Sequence, residues 1–168
     1  PPEAAGAMEV QRDVALRLGA RVGGWKVGIG ADGAPFAGPL YEDAIARSPA
    51  TRQLAPGDHV LIEVEIAFRL ARDLPSRPTT REEVLAAIDE AIAGIELIRG
   101  RLGEPPAVPF LAWIADNAGN AGYVTGGSTR DFRNLDLTRL RCRLAVDGKP
   151  VHDKVGGHPQ GDPIEPIR

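Results

Sequence analysis

The chain has 168 residues, 43% of them hydrophobic, and a formal net charge of −3. That is one domain's worth of material with enough apolar content for a core, and an acidic balance that argues against a nucleic-acid surface. No apolar run reaches the ~20 residues needed to span a bilayer, and the opening PPEAAGAMEV carries no basic-then-apolar leader. The single cysteine, Cys142, excludes an internal disulfide and suits a reducing, cytoplasmic setting. With only His59, His152 and His158 as imidazoles, any site must lean on carboxylates and lysines.

In chain order, Met8 to Leu18 sets Val10, Val14, Leu16 and Leu18 among charges and predicts a helix. Arg21 to Ile29 predicts a strand interrupted by glycines, with Lys26 facing away from Trp25 and Val27. If those two neighbours pack inward to the core, Lys26 points into a cleft. Ala31 to Thr51, with its Asp-Gly and Gly-Pro pairs, predicts a loop. Pro56-Gly57-Asp58 launches a strand from His59 to Leu70, in which Val60, Ile62, Val64, Ile66 and Phe68 alternate on one face. Thr80 and Glu83 form a capping box that opens a helix to about Ala93, burying Val84, Ile88, Ala91 and Ile92. Ile95 to Arg99 predicts a further strand, Phe110 to Ile114 a short apolar segment, Asp116-Asn117 a turn, and the region of Tyr123 a strand. Leu137 to Val146 alternates Leu140, Cys142, Leu144 and Val146 with Arg139, Arg141 and Arg143. Asp147-Gly148 then turns the chain into Val151–Val155 as a hairpin. Strands dominate and do not alternate with helices, which points to an α+β fold.

The chemistry concentrates on carboxylates. Glu63 and Glu65 lie on one face of LIEVEIAF with Leu61 and Ala67, so two like charges share a partly apolar surface. Their repulsion and desolvation are relieved together by a divalent cation, and oxygen ligands suit Mg²⁺ or Mn²⁺. Glu96, alone in the apolar GIELIRG, is a candidate third ligand. Taken by itself, an E-x-E strand also describes a solvated face, and that is the commoner case.

The segments GWKVGIG, GPLYED, VLIEVEIAFRLARDLP, AIAGIELIRGR, ADNAGNAGYVTG and GHPQGDPI occur in this order over about Gln11 to Ile164. Together they resemble the 2-keto-4-pentenoate hydratase and 4-oxalocrotonate decarboxylase family of the fumarylacetoacetase superfamily. The resemblance implies a mixed β-roll of the fumarylacetoacetase C-terminal-domain type with a few flanking helices, read over residues 1–168 as a single catalytic domain without the extra length that family members have at both ends. It implies that Glu63, Glu65 and Glu96 hold Mg²⁺ (or Mn²⁺). It also implies that Lys26 faces the substrate as proton shuttle or carboxylate partner, and that Asp116 and Asn117 sit in a turn behind the metal. His158 is expected to be structural, His152 exposed, and Trp25 and Trp113 part of the core or of a pocket wall.

The implied activity is that of a metal-dependent lyase on small 2-hydroxy-dienoic or 2-oxo acids. Its reaction is hydration of 2-hydroxypenta-2,4-dienoate to 4-hydroxy-2-oxopentanoate in aromatic-compound catabolism, and the alternative is 4-oxalocrotonate decarboxylation. More distant alternatives are a fumarylacetoacetase-like C–C hydrolase, for which no Glu-His pair is apparent, and an inactive partner subunit, against which all three glutamates argue. The implied partners are further copies of the chain in a homo-oligomer and a pathway enzyme in complex, with no nucleic acid and no membrane. Arg139, Arg141 and Arg143 fit either an oligomer face or a solvated one.

Overall fold

A computed structural model describes residues 3–103 and 107–168. The chain forms two compact units, Pro1–Glu63 with Gly94–Gly126, and Val64–Ala93 with Gly127–Arg168. Strands are in a two-stranded antiparallel sheet of β1 (Val22–Ile29) and β2 (Pro35–Tyr41), a four-stranded sheet ordered β3-β6-β5-β4, and a second hairpin of β7 (Arg141–Val146) and β8 (Lys149–Val155). In the four-stranded sheet, β3 (Ile45–Arg47) runs parallel to β6 (Asn120–Thr129), beside β5 (Ile88–Ile98) and β4 (Leu61–Leu70). Parallel and antiparallel pairings with few helices make this a mixed α+β architecture. No described helix is long and apolar enough to cross a membrane.

In the first unit, helix α1 (Ala4–Leu18) ends on Gly19, whose φ of 61° is the left-handed closure that glycine permits. Its only buried side chains are Ala7 and Gln11. Gln11 is a fixed point rather than a stray polar group. Its amide donates to the Ala37 carbonyl on β2 at 3.0 Å and to the Ile114 carbonyl on α3 (Phe110–Ala115) at 2.5 Å.

Residues 31–51, expected as loop, contain β2 and β3. The Asp-Gly signal there is a hairpin turn, in which Gly33 has φ 80° and the Asp32 carboxylate accepts from the Ala34 N–H at 3.0 Å. The run PFAGPLY hides β2 from pattern reading because its prolines and glycine are poor strand formers. Pairing with β1 supplies what propensity lacks.

The second unit gathers its core on Val84, Ile88, Ala91, Phe132, Leu137 and Ile164, with Ile66, Phe68 and Leu74 packed against it. Helix α2 (Arg81–Ala87) starts with the expected capping box. It stops seven residues later, because Ile88 is already extended at φ −78° and ψ 131°. The helix expected to reach Ala93 gives way to β5. The four apolar positions assigned to its buried face, Val84, Ile88, Ala91 and Ile92, are all buried nonetheless. Cross-strand bonding explains the switch: Glu90 on β5 accepts from Arg69 on β4 at 2.7 Å and from Ser128 on β6 at 2.6 Å. A helical Glu90 could not lie between those two strands, so tertiary pairing overrides local spacing.

On β4, the apolar face is only half realised. Ile66 and Phe68 pack on the core, while Ile62 and Val64 are exposed. The expected hairpin forms, with Asp147 (φ 50°) and Gly148 (φ 74°) as its two-residue turn. Its first strand starts only at Arg141, because Leu137–Arg139 is a 3-10 turn that takes Arg139 off the strand. On it Arg141 grips Asp153 at 2.7 and 2.8 Å, and His152 is exposed.

The start of α2 yields a test. The guanidinium of Arg77 and the Thr80 backbone N–H hold the Glu83 carboxyl down at about 2. A depressed carboxyl contributes stability above the ordinary glutamate value and loses it as the pH falls through about 2. Thr80→Ala is expected to lower stability by about 1 kcal/mol at neutral pH. Glu83→Gln is expected to flatten the fall in the urea midpoint between pH 5 and pH 2.5.

Candidate metal and lysine site

Strand β5 carries Glu96 into the interior, where its side chain has no solvent exposure at all. Alternation sets this up. From Ala91 onward the even positions Ile92, Gly94, Glu96 and Ile98 are all buried, so a carboxylate occupies a core position. Burying an unpaired charge is prohibitive, and both oxygens are matched. The Asn120 amide donates to Oε1 at 2.8 Å, and the Lys26 ammonium lies 2.6 Å from Oε2. Lys26 is itself mostly buried and also lies 3.6 Å from the Glu63 carboxylate, which is about half exposed. Carboxylate oxygens of Glu63, Glu65 and Glu96 all fall within 4.8 Å of one another.

That spacing fits a cation. Ligand bonds of about 2.0–2.6 Å to Mg²⁺ or Ca²⁺ place oxygens on a shared ion no more than ~4–5 Å apart. Hard oxygen donors are also the set such ions prefer.

Lys26 reaches the site by a route opposite to the expected one. Trp25 is 59% exposed and Val27 38%, so neither packs into the core. The inward face of β1 consists of Gly24, Lys26 and Gly28. Aromatic rings explain the glycines. A Cβ on Gly28 would sit 2.5 Å from Phe36 Cζ, and one on Gly30 would sit 3.2 Å from Phe110 Cε1. The Phe36 ring therefore lies where a side chain at Gly28 of β1 would otherwise be. Phe36 meets Phe110 and Trp113 edge-on at centroid distances of 5.5 and 5.8 Å, and Phe110 stacks on Trp113 at 5.7 Å. The Lys26 ammonium lies 5.4 Å from the Trp113 ring centroid, a cation–π distance.

Asp116 caps α3, and its carboxylate accepts from the backbone N–H groups of Arg101 and Leu102 and from the Arg101 guanidinium. Beyond it Asn117, Ala118 and Gly119 have φ of 55°, 50° and 72°. Two consecutive non-glycine residues in the left-handed region are strained backbone, which persists only where the surroundings hold it. This turn delivers Asn120 to Glu96. Asn120 is the Glu96 partner that pattern reading missed; its sequence context is a lone amide between glycines in AGNAGY. His158 accepts from the Gln160 N–H at 3.3 Å, and burial lowers its pKa against the nearby Asp162 charge. It shapes a turn of the second unit.

No protein-family model matches the sequence. Among curated proteins, 2-keto-4-pentenoate hydratase of Paraburkholderia xenovorans (strain LB400) is 31% identical over 161 residues, covering 90% of this chain and 59% of that protein. The 4-oxalocrotonate decarboxylase of Pseudomonas putida is 29% identical over 109 residues, 65% of this chain and 41% of the relative. Among solved structures, 4-oxalocrotonate decarboxylase from Pseudomonas putida G7, complexed with calcium and acetate, superposes with a TM-score of 0.75 at 25% identity. That match covers 89% of this chain and 60% of the other.

The chain is a homologue of these hydratases and decarboxylases. It spans about 60% of the length of the curated relatives it matches along most of its own length. A second structure of the same decarboxylase, complexed with magnesium and adipate, shares the fold with a TM-score of 0.71. The hydratase and decarboxylase resemblance read from the sequence holds.

Because Lys26 and Asn120 each hold an oxygen of the buried Glu96, removing the ammonium should expose the cost of that charge. Lys26→Met is expected to lose roughly 3 kcal/mol, since breaking a buried pair leaves an uncompensated ion. Adding Glu96→Gln to it should recover much of the loss. Urea denaturation of both variants in the presence of EDTA measures this directly.

Proposed function

We propose that this chain is the catalytic part of a metal-dependent lyase acting on small 2-hydroxy-dienoic or 2-oxo acids. Its reaction in this reading is hydration of 2-hydroxypenta-2,4-dienoate to 4-hydroxy-2-oxopentanoate, in aromatic-compound catabolism. The observation that carries the reading is the convergence of Glu63, Glu65 and Glu96, with Lys26 bound to two of them, in a homologue of 2-keto-4-pentenoate hydratases. Decarboxylation of 4-oxalocrotonate is the second reading, favoured by the structural likeness to that decarboxylase. In either case we take the fold to be a β-roll of the fumarylacetoacetase type and the working form to be a cytoplasmic homo-oligomer.

Glu63, Glu65 and Glu96 are the residues that would hold Mg²⁺ or Mn²⁺. When bound, such an ion supplies Lewis-acid stabilisation of the negative charge that develops on the substrate's oxygens. The chain's own residues do the rest. Asn120 fixes one Glu96 oxygen and so orients the carboxylate. Lys26, held against Glu96 and Glu63 and over Trp113, has a donor proton within the site. We assign it delivery of a proton to C3 or C5 of the dienol as the 2-hydroxyl proton is lost to solvent; protonation at C5 gives the conjugated 2-oxo-3-alkenoate, and water then adds its hydroxyl at C4 and a proton at C3. Asp116 keeps the strained turn in place through Arg101 and acts through Asn120 rather than on substrate.

Incubating the full-length protein and Mg²⁺ with each substrate, with products identified by NMR, tests the reading. Formation of 4-hydroxy-2-oxopentanoate is expected. CO₂ release from 4-oxalocrotonate alone would establish the second reading, and turnover of neither would end both. Glu65→Gln is expected to abolish metal-dependent turnover with an unchanged circular dichroism spectrum. Lys26→Met, assayed where it remains folded, should lower kcat by about 10²–10⁴ with KM little moved. A raised KM at unchanged kcat would make Lys26 a carboxylate partner instead.

A further inference from the structure

The functional reading accounts for the carboxylates and the lysine but leaves the aromatic cluster beside them without a task. Phe36, Phe110 and Trp113 form one contiguous wall. It begins at the Lys26 ammonium, 5.4 Å from the Trp113 ring, and ends at Phe110 beside Gly30. Core aromatics are normally hidden, yet Phe110 is 41% exposed and Trp113 is only partly buried. The backbone makes room for this wall. Gly28 on the inward face of β1 leaves space for Phe36, and Gly30, just past the end of the strand, lies close to Phe110 and to the Asp32 carboxylate. An apolar surface that starts at a cation and a carboxylate cluster and runs outward is the complement of one kind of molecule. That molecule has a polar, chelating head and a short unsaturated or aliphatic chain.

We propose that this wall receives the carbon chain of the acid whose head is held at the Glu63–Glu96–Lys26 end, and that Phe110, its most exposed ring, determines the length of chain preferred. The assignment rests on the functional reading given above. Rings suit a conjugated, uncharged chain, since burying apolar surface is favourable whatever its direction and a planar diene can stack on them. A second carboxylate at the far end of the chain would be desolvated against Phe110, which opposes dicarboxylic acids.

The test separates head from chain. Mg²⁺-loaded full-length protein is titrated calorimetrically with saturated 2-oxo acids from three to seven carbons. In the wild type, affinity is expected to rise up to about fourfold per added methylene, the increment for a buried CH₂, until the wall is filled. Phe110→Ala should flatten that rise beyond five carbons while leaving the affinity for pyruvate, which has almost no chain, unchanged. Phe110→Leu, which keeps apolar area, should retain most of the rise. Thermal melts of the variants confirm that an exposed ring has been changed without unfolding the chain. Pyruvate binding with Mg²⁺ together with an undiminished rise in Phe110→Ala would overturn the assignment of the wall alone. Failure of every acid, pyruvate included, to bind the wild type would overturn the functional reading and this proposal with it.

Discussion

A carboxylate with no solvent exposure organises this chain. Glu96 lies at an inward position of β5, where alternation would otherwise place a methyl group or a branched aliphatic. An ion at such a position is tolerated only with full pairing, so partners must be brought to it from distant parts of the chain. Lys26 comes from 70 residues upstream on β1 and Asn120 from 24 downstream on β6. Each delivery constrains its own surroundings. Lys26 requires a hairpin with β2 and an inward face otherwise cleared of side chains. Asn120 requires a turn through three left-handed residues, anchored at its start by Asp116 on Arg101.

The glycines belong to the same arrangement and are not interchangeable. Gly94, two residues before Glu96, has no room for a Cβ, because Tyr123 Oη would be 2.0 Å away. Gly38, paired with Lys26 across the hairpin, faces the Asn117 carbonyl, with 2.9 Å to spare for a methyl that needs more. None of these positions is turn-forming. They are glycine because backbone and rings from other elements lie against them, which is the close-approach role of the residue rather than its conformational one.

This explains what could be read from the sequence and what could not. Features governed by neighbours a few residues away were legible: the α1 helix, the β4 strand, the Thr80–Glu83 capping box and the Asp147-Gly148 hairpin. The grouping of Glu63, Glu65 and Glu96 was legible as well, because two of the three sit at strand spacing and the third stands alone among apolar residues. Features governed by distant partners were hidden. β2 owes its existence to β1 and not to PFAGPLY. The first half of β5 carries helix-like apolar spacing, yet it is held extended by Arg69 and Ser128 on its flanking strands. Lys26 lies against Glu96 and Glu63, but not by the inward packing of Trp25 and Val27 on which its expected direction depended. The inward face of β1 is defined by glycines, which carry no hydrophobic signal, while the exposed face holds the large apolar Trp25 and Val27. A pattern rule that equates apolar with inward inverts such a strand. Asn120 was invisible for a related reason, since an isolated amide has no periodicity and only its partner gives it meaning.

The two glutamates of the first unit also differ in a way that bears on how a cation would be held. Glu96 is held at both oxygens, whereas Glu63 is about half exposed and lies at the outer reach of Lys26, at 3.6 Å. A site with one anchored and one adaptable carboxylate keeps its position through Glu96 and adjusts its size through Glu63. Lys26 tempers the same site. Three carboxylates gathered within 4.8 Å repel one another strongly, and one ammonium among them leaves a formal charge matched to a divalent ion. The lysine thus serves the fold, by pairing a buried charge, and lowers the formal negative charge of the carboxylate group around it. That double duty is why a residue with so plain a sequence context sits at the centre of the arrangement.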